Sequence, residues 1–145
     1  IEFARNVLGL SDAASTEFAP DTTNPIIDLM EEQKHVACLG GTMRLGGYEC
    51  QLADGSRAKA IYGKDSITER HRHRYELNSR YIADMEAHGM AVSGRNPQSQ
   101  LAEIVEMPDR KFYLGTQFHP EYSSSVLNPH PLFLNFLKAT IEAQA

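Results

Sequence analysis

Residues 115–121 read GTQFHPE, and they directly follow the aromatic and branched run KFYL at 111–114. This run predicts the start of a buried strand that delivers His119 at its C-terminal end. In open α/β sheets, active-site residues gather at that end of the strands. Pro120 then biases His119 towards an extended conformation and ends the strand, because proline has no N–H to give to a ladder.

Glu121 follows two positions after His119, on the same side of an extended backbone. Its carboxylate can hold one imidazole nitrogen and stabilise an imidazolium, which leaves the other nitrogen free to act as a base. His119 and Glu121 would then be two members of a nucleophilic triad whose third member is a Cys or a Ser. On these residues alone, a surface turn without catalytic function is the favoured alternative.

The composition excludes several classes of protein. Of the 145 residues, 41% are hydrophobic and 23% are charged, so the chain is one globular domain or a large piece of one. The net charge of −5 argues against a nucleic-acid-binding protein. No apolar run reaches membrane-spanning length, and no signal peptide opens the chain. The two cysteines cannot form a disulfide framework, so a cytoplasmic location is expected.

The hydrophobic pattern predicts an α/β fold with a mixed sheet. Strands are expected at 48–52, 90–94 and 101–107, and a short strand or turn at 26–30. Helices are expected at 1–8, at 58–62, after a cap at Asn78 or Ser79, and from about Pro131 onwards. The closing helix should direct an apolar stripe inward, made of Leu132, Phe133, Phe136, Leu137 and Ile141. Since no Met precedes the first helix, we expect the sequence to be a fragment.

Residues 39–47 form a glycine-flanked apolar run, LGGTMRLGG. Glycines at both ends favour a loop that moves, or a backbone that closely approaches another group. A tight hairpin or a β-bulge is the alternative, because it needs glycine for the same dihedral reasons. The preceding residues 31–35 are polar and are expected to be exposed.

Residues 67–78 read ITERHRHRYELN, and within them arginines alternate with histidines from Arg70 to Arg74. An extended strand would place its odd and even residues on opposite faces: Arg70, Arg72 and Arg74 on one, His71, His73 and Tyr75 on the other. The His-x-His spacing suits a metal, but three interleaved arginines would repel a cation, so no metal site is predicted. The arginines could instead form a solvated face, or an anion site that binds a carboxylate bidentately. With Glu17 available for an ammonium, such a site could hold both ends of an amino acid.

Three stretches together closely resemble the C-terminal glutamine amidotransferase domain of CTP synthases. They are GGTMRLG at 40–46, ERHRHRY at 69–75 and QFHPE at 117–121. The resemblance also includes STEF at 15–18 and the helix at 1–8, so it covers essentially the whole chain. The QFHPE stretch is shared by other class I amidotransferases, whereas the other two are much more specific.

The resemblance implies a class I glutamine amidotransferase fold, a flavodoxin-like three-layer α/β arrangement with a mixed sheet. It implies that residues 1–145 form part of a domain that hydrolyses glutamine and passes ammonia to a separate synthase domain. There, ATP with Mg²⁺ phosphorylates UTP, and ammonia converts it to CTP. No cofactor is expected in the glutaminase domain itself. The resemblance also suggests a homotetramer, formed mainly through the synthase domain.

Residue roles are carried over by the same resemblance. His119 corresponds to the catalytic base and Glu121 to its orienting carboxylate. Glu17 and Arg74 match positions that hold the amino and carboxylate groups of glutamine. The loop around Arg44 resembles the lid that senses GTP, the allosteric activator.

One expected part of the family pattern is missing from this sequence. The nucleophilic Cys should lie on a Gly-x-Cys-x-Gly elbow just before Ile1, after a glycine-rich loop that helps to form the oxyanion hole. Neither Cys38 nor Cys50 has such an elbow around it, so neither is interpreted as the nucleophile. The sequence is therefore interpreted as the second part of a glutaminase domain, without the synthase domain and the nucleophile elbow. The alternatives are a non-catalytic module that senses glutamine or nucleotides, and another class I glutamine amidotransferase.

Overall fold

A computed structural model describes residues 1–29 and 43–143 of the chain. The expected exposed stretch 31–35, Cys38 and the glycines Gly40 and Gly41 lie outside these ranges. Helices are α1 (Glu2–Asn6), α2 (Arg57–Tyr62), α3 (Ile82–Ala87) and α4 (Pro131–Glu142), with short 3-10 helices at Ser79–Tyr81 and Pro120–Ser123. Strands are β1 (Ala14–Ser15), β2 (Pro25–Leu29), β3 (Arg44–Leu52), β4 (Ser66–His73), β5 (Tyr75–Leu77), β6 (Ala91–Arg95), β7 (Ala102–Glu106) and β8 (Leu114–Thr116).

The described strands form two sheets. The larger has the order β4-β3-β6-β7-β8, and each of its neighbouring pairs is antiparallel. The smaller has the order β1-β2-β5, with β1 parallel to β2 and β5 antiparallel to it. Mixed pairing is thus confined to the smaller sheet within the described ranges. In the larger sheet, β8 lies at the edge opposite to β4, and the residues that follow β8 reach β4, where the backbone N–H of His119 donates to the carbonyl of Arg70.

Most predicted elements are present, with shifted ends. The glycine-flanked run resolves partly as a strand, since β3 begins at Arg44 and extends the predicted strand 48–52 backwards. Asn78 caps the 3-10 helix that leads into α3, as predicted, by accepting a hydrogen bond from the backbone N–H of Arg80 at 3.1 Å. Ser56 caps α2 in the same way through the N–H of Lys59 at 3.0 Å.

The predicted alternation of the basic stretch is correct as far as His73. Along β4 the exposed Arg70 and Arg72 alternate with the buried Glu69 and His71. The chain then bends at Arg74, so the prediction that Arg74 continues the outward face is wrong. The bend separates β4 from β5 and allows the two strands to join different sheets.

The strand before the GTQFHPE stretch was predicted to start at Lys111, but β8 starts at Leu114 and ends at Thr116. The side chain of Arg57 accounts for the later start. It donates hydrogen bonds to the backbone carbonyls of Arg110, at 2.6 Å, and of Lys111. These carbonyls are therefore engaged by a helix side chain rather than by a neighbouring strand.

The prediction that α4 directs its whole apolar stripe inward is wrong for the described structure. Only Leu132 is buried, in a core cluster with Ala58 of α2. Phe133, Phe136, Leu137 and Ile141 are between 42% and 69% exposed. Helical periodicity predicts which residues share a face, but not whether another element covers that face.

Two core clusters support the sheets. One joins α1, β2 and α3 through Phe3, Ala4, Ala13, Ile26, Tyr81, Met85 and Met90. The other joins β3, β4, β7, α2, α4 and the middle of the GTQFHPE stretch through Cys50, Leu52, Ala58, Ile67, Ile104, Phe118 and Leu132. Since Phe118 belongs to the second cluster and is 3% exposed, the residue before His119 is firmly anchored.

Candidate functional site

His119 and Glu121 lie in direct contact at the surface. His119 Nδ1 is 2.7 Å from Glu121 Oε1, and the two side chains are 36% and 55% exposed. The pKa of the Glu121 carboxyl is lowered by the hydrogen bond from its own backbone N–H and then by the bond to His119. An imidazole that donates its Nδ1 proton to this carboxylate presents the lone pair of Nε2 outward. The pair can therefore accept a proton at Nε2.

The backbone brings the pair together in a way that the sequence only partly predicts. His119 has φ −109° and ψ 87°, outside the helical region, as expected for a residue before proline. The chain then enters the 3-10 helix Pro120–Ser123 instead of staying extended. Glu121 reaches His119 from the first turn of that helix, not along a strand as predicted.

Strand β4 holds the start of this turn. The backbone N–H of His119 donates to the carbonyl of Arg70 at 2.9 Å. The buried ring of Phe118 contacts the ring of His71 edge-on, with centroids 5.9 Å apart. Tyr122 packs against the His119 ring at 5.4 Å and receives the guanidinium of Arg70 on its own face at 5.6 Å.

The predicted glutamine ligands, Glu17 and Arg74, lie on other segments of the chain than the His119–Glu121 pair. Glu17 is exposed in the turn after β1, where its backbone N–H donates to Ser15 Oγ at 3.2 Å. Arg74 is partly buried at the bend after β4, and its Nε is buried without a hydrogen-bond partner. Among the described residues, no hydrogen bond or ion pair joins either side chain to His119 or Glu121. Their roles in binding glutamine stay predictions.

Arg44 lies in a buried cluster of charges rather than on an open loop. It is 7% exposed, its Nη2 is 2.7 Å from Glu103 Oε1, and its Nη1 is 3.2 Å from Glu76 Oε2. Its guanidinium also lies 4.3 Å from the ring centroid of Tyr48. In this arrangement both edges of the guanidinium are engaged by the protein, so contact with an effector would require Arg44 to leave the cluster. An effector role for Arg44 stays a prediction that this placement does not support.

Arg44 is held by two carboxylates that the sequence pattern does not single out. Glu103 is 1% exposed and Glu76 3% exposed. Burial raises the pKa of Glu103, while the bond from Arg44 opposes that rise. The signal for Glu103 was its place within the apolar run 101–107, where a charge must be buried if the strand is. Glu76 follows the basic stretch and carried no separate signal.

The histidines of β4 face this buried cluster. His71 is fully buried, with Nε2 3.4 Å from Glu103 Oε2, and His73 Nε2 is 3.1 Å from Glu76 Oε1. Burial, then the charge of Arg44, lowers the pKa of His71 to about 3, so His71 is neutral near pH 7. Within the described ranges, no group of three or more His, Cys, Asp or Glu residues is arranged to hold a metal ion.

Cys50 does not have the properties of a nucleophile. It is fully buried in β3, and burial followed by the charge of Glu103 raises the pKa of its thiol to about 12. A reactive cysteine needs access and a lowered pKa, because the thiolate is the attacking species. The surroundings of Cys50 therefore support the interpretation that it is not the nucleophile.

No helix in the described ranges is both long and apolar enough to cross a membrane. The model of the family "Glutamine amidotransferase class-I" matches residues 1–139. This match covers almost the whole chain and includes Glu17, Arg44, Arg74, His119 and Glu121.

Curated relatives and a solved structure give more specific similarities. A CTP synthase of Cytophaga hutchinsonii is 60% identical over 139 residues, which are 96% of this chain and 26% of that protein. A CTP synthase of Bacteroides thetaiotaomicron is 61% identical over 142 residues, 98% of this chain and 26% of that protein. The chain thus spans about a quarter of the length of these relatives.

The solved glutaminase domain of the Trypanosoma brucei CTPS, with bound acivicin, superposes with a TM-score of 0.90. It is 35% identical, and the match covers 98% of this chain and 55% of that chain. The family match and this superposition confirm the predicted fold class and the resemblance on which it was based.

Proposed function

The chain belongs to the class I glutamine amidotransferase family, and on that premise we propose that it hydrolyses glutamine to supply ammonia for the ATP-dependent amination of UTP to CTP. The observation that carries this proposal is the 2.7 Å contact between His119 Nδ1 and Glu121 Oε1. It occurs in a chain that matches a CTPS glutaminase domain along 98% of its length. The pair has the geometry of a base and its orienting carboxylate.

The proposed chemistry follows from the free Nε2 of His119. Nε2 takes the proton of a cysteine thiol, and the thiolate attacks the side-chain amide carbon of glutamine. The carbon–nitrogen bond then breaks as the imidazolium returns the proton to the leaving ammonia. Water hydrolyses the resulting thioester and releases glutamate. Glu121 stabilises the imidazolium during both proton transfers.

The nucleophile in this scheme is not Cys50, whose buried thiol has a pKa of about 12. We propose that a cysteine in the part of the enzyme that this sequence does not include supplies the thiol. The relatives extend well beyond the matched region, which leaves room for such a segment. His119 reaches the surface with 36% of its side chain exposed, so it can meet a group brought to it from another segment.

We propose that Arg74 and Glu17 hold the two charged ends of glutamine. The unpartnered Nε of Arg74 supports the first assignment, because a buried guanidinium N–H without a partner is costly and a substrate carboxylate would satisfy it. Glu17 is exposed, and its carboxylate has the charge that binding the ammonium group of glutamine requires. These assignments extend the proposal from the reaction to the amino acid that is recognised.

We also propose how the whole enzyme is organised. ATP with Mg²⁺ and UTP would bind a separate synthase domain, GTP would act as activator, and the enzyme would work in the cytoplasm as a homotetramer. The similarity to CTP synthases along 96–98% of the chain supports this assignment. The glutaminase step itself uses protein side chains and water.

The test compares nitrogen sources in a full-length enzyme that carries this sequence. His119→Ala should nearly abolish glutamine-dependent CTP synthesis, and Glu121→Ala should reduce it by on the order of 10²–10⁴-fold. Both variants should keep synthesis from added ammonia, because that reaction needs no glutaminase. The exposed His88 provides a matched control, and His88→Ala should behave as wild type.

Two results would contradict the proposal as a whole, and a third would remove only Glu121 from it. Undiminished glutamine turnover by His119→Ala would exclude the base, and glutamine binding without glutamate release by the wild-type enzyme would favour a sensing module. Wild-type turnover by Glu121→Ala alone would return Glu121 to the status of a turn residue.

A further inference from the structure

The His119–Glu121 pair cannot hold its own geometry. Both side chains are substantially exposed, and exposed ion pairs contribute little because water screens them and both side chains lose freedom. A small misplacement of a catalytic group is nevertheless expensive in rate. The 3-10 helix Pro120–Ser123, which carries Glu121, must therefore be fixed from the protein side.

A buried carboxylate lies directly behind that helix. Glu69 is on the inward face of β4 and is 7% exposed. Its Oε1 accepts hydrogen bonds from the hydroxyl of Tyr62 at 3.0 Å and from Nε2 of His130 at 2.8 Å. Its Oε2 accepts one from the hydroxyl of Ser123 at 3.3 Å. One carboxylate thus joins β4, α2, the start of α4 and the 3-10 helix.

The direction of these bonds is set by the groups themselves. The Nδ1 of His130 accepts the backbone N–H of Leu132 at 3.3 Å, as the cap of α4, so the ring proton is on Nε2 and points to Glu69. Burial, then the charge of Glu69, raises the pKa of the Tyr62 phenol, which keeps that hydroxyl a donor. Glu69 is consequently an acceptor on both of its oxygens.

The cluster holds the 3-10 helix at its far end, whereas β4 holds it at its near end. Ser123 is the last residue of the helix and bonds Glu69, and its hydroxyl is also 3.3 Å from the carbonyl of Pro120. The next residue, Ser124, accepts the backbone N–H of His130 at 3.0 Å. At the near end, the carbonyl of Arg70 accepts the N–H of His119. Adjacent residues of one strand therefore clamp both ends of the turn.

We propose that Glu69 is a positioning residue for the His119–Glu121 pair, acting through Ser123. It keeps the 3-10 helix in the place where Glu121 meets Nδ1 of the imidazole. Glu69 itself is buried and touches neither partner of the pair, so it takes no direct part in proton transfer. Its catalytic consequence rests on the proposed glutaminase function, whereas its mechanical consequence does not.

The experiment uses a full-length enzyme that carries this sequence, with three variants. Glu69→Gln keeps the volume but offers one acceptor oxygen where three donors converge. Ser123→Ala removes only the direct link to the helix, and Ser123→Thr restores a hydroxyl. Glu49→Gln, an exposed carboxylate on the neighbouring strand β3, is the control.

We expect Glu69→Gln and Ser123→Ala each to lower kcat for glutamine by roughly 10- to 100-fold, with little change in KM. Ser123→Thr should recover most of the loss, and ammonia-dependent synthesis should stay at the control level. In a double-mutant cycle, Ser123→Ala should cost much less in a Glu121→Gln background, because both changes disrupt the same pair. Unchanged kcat, or fully additive losses, would overturn the proposal.

Hydrogen exchange distinguishes failure of this inference from failure of the proposed function. The backbone amides of residues 119–124 should exchange faster in Glu69→Gln than in Glu49→Gln, whether or not the enzyme releases glutamate. Equal exchange in both variants would overturn the positioning role. Absence of glutamate release by the wild-type enzyme, with faster exchange in Glu69→Gln, would reject the glutaminase function and retain the clamp.

Discussion

Arg44→Met tests whether Arg44 is a structural residue of a buried cluster or an effector contact on a lid. Methionine keeps much of the side-chain volume and removes the charge. In the structure, the substitution leaves the carboxylate of Glu103 without its 2.7 Å partner and that of Glu76 without its 3.2 Å partner. The effect on stability should therefore be large, although the family resemblance implies a regulatory role for Arg44.

The magnitude follows from burial on both sides of the broken pairs. Arg44 is 7% exposed and Glu103 is 1% exposed, so water cannot replace the lost partner. Removing one partner of a buried ion pair costs about 3–5 kcal/mol. At about 2–4 °C per kcal/mol for a domain of this size, the unfolding transition of this domain within the enzyme should move down by roughly 6–20 °C.

The loss should depend on pH because burial already raises the pKa of Glu103 above its ordinary value of 4.5. Arg44 opposes this rise, so its removal should raise that pKa further. A carboxyl with a raised pKa costs no stability below pH 4.5, and the cost grows as the pH rises from there towards the pKa in the folded protein. The deficit of Arg44→Met should accordingly be smaller at pH 5 than at pH 8.

The assay is thermal denaturation of the full-length enzyme at both pH values, with activation by GTP measured in parallel. Arg72→Met is the matched control, since Arg72 is exposed on β4 and pairs in register with Leu45 beside Arg44. A variant that melts at the wild-type temperature at both pH values, but is no longer activated by GTP, would refute the structural role. It would restore Arg44 to the lid that the family resemblance implied.

Three further predictions concern single side chains. Arg74→Ala should weaken glutamine binding by about 2–4 kcal/mol and raise its KM, with ammonia-dependent synthesis near normal, whereas equal loss of both activities would make Arg74 structural. Iodoacetamide at pH 8 should leave Cys50 unlabelled in the native enzyme, because its buried thiol has a pKa of about 12. Rapid modification of Cys50, detected by peptide mapping, would contradict its burial. Gly94→Ala should lower the free energy of unfolding by about 1–3 kcal/mol, because the added Cβ would lie 2.6 Å from Cys50 Sγ. Gly115→Ala, whose Cβ would have one contact at 3.3 Å, should lower it less, and urea denaturation measures both changes.

The parts of the fold that the sequence predicts well are those governed by local rules. The alternation of residues 66–73 is confirmed because a strand with one buried face must repeat every second residue. Asn78 and Pro131 mark helix starts for reasons contained in their own side chains. The contact between His119 and Glu121 can likewise be predicted from the sequence, because side chains only two residues apart lie close together in most backbone conformations.

The parts that the sequence does not predict depend on partners that are distant along the chain. Arg44 and Glu103 are 59 residues apart, and nothing local to either position indicates that they meet. The apolar stripe of α4 shows the same limit. Phe136 and Leu137 follow Phe133 at the helical spacing of three and four residues, yet both are more than half exposed. Lys111 was assigned to a strand on propensity, but the side chain of Arg57 occupies its carbonyl.

Strand β4 explains why one exposed pair can depend on two buried clusters. Its inward residues Glu69 and His71 lie on either side of Arg70, whose carbonyl accepts the backbone N–H of His119, the proposed base. Glu69 reaches the turn from its far side through Ser123, and His71 reaches it from the near side through the ring of Phe118. Loosening the first contact should displace the carboxylate before the base, and loosening the second should displace the base before the carboxylate. The period of two in a single strand therefore couples the packing of the interior to both members of a pair at the surface.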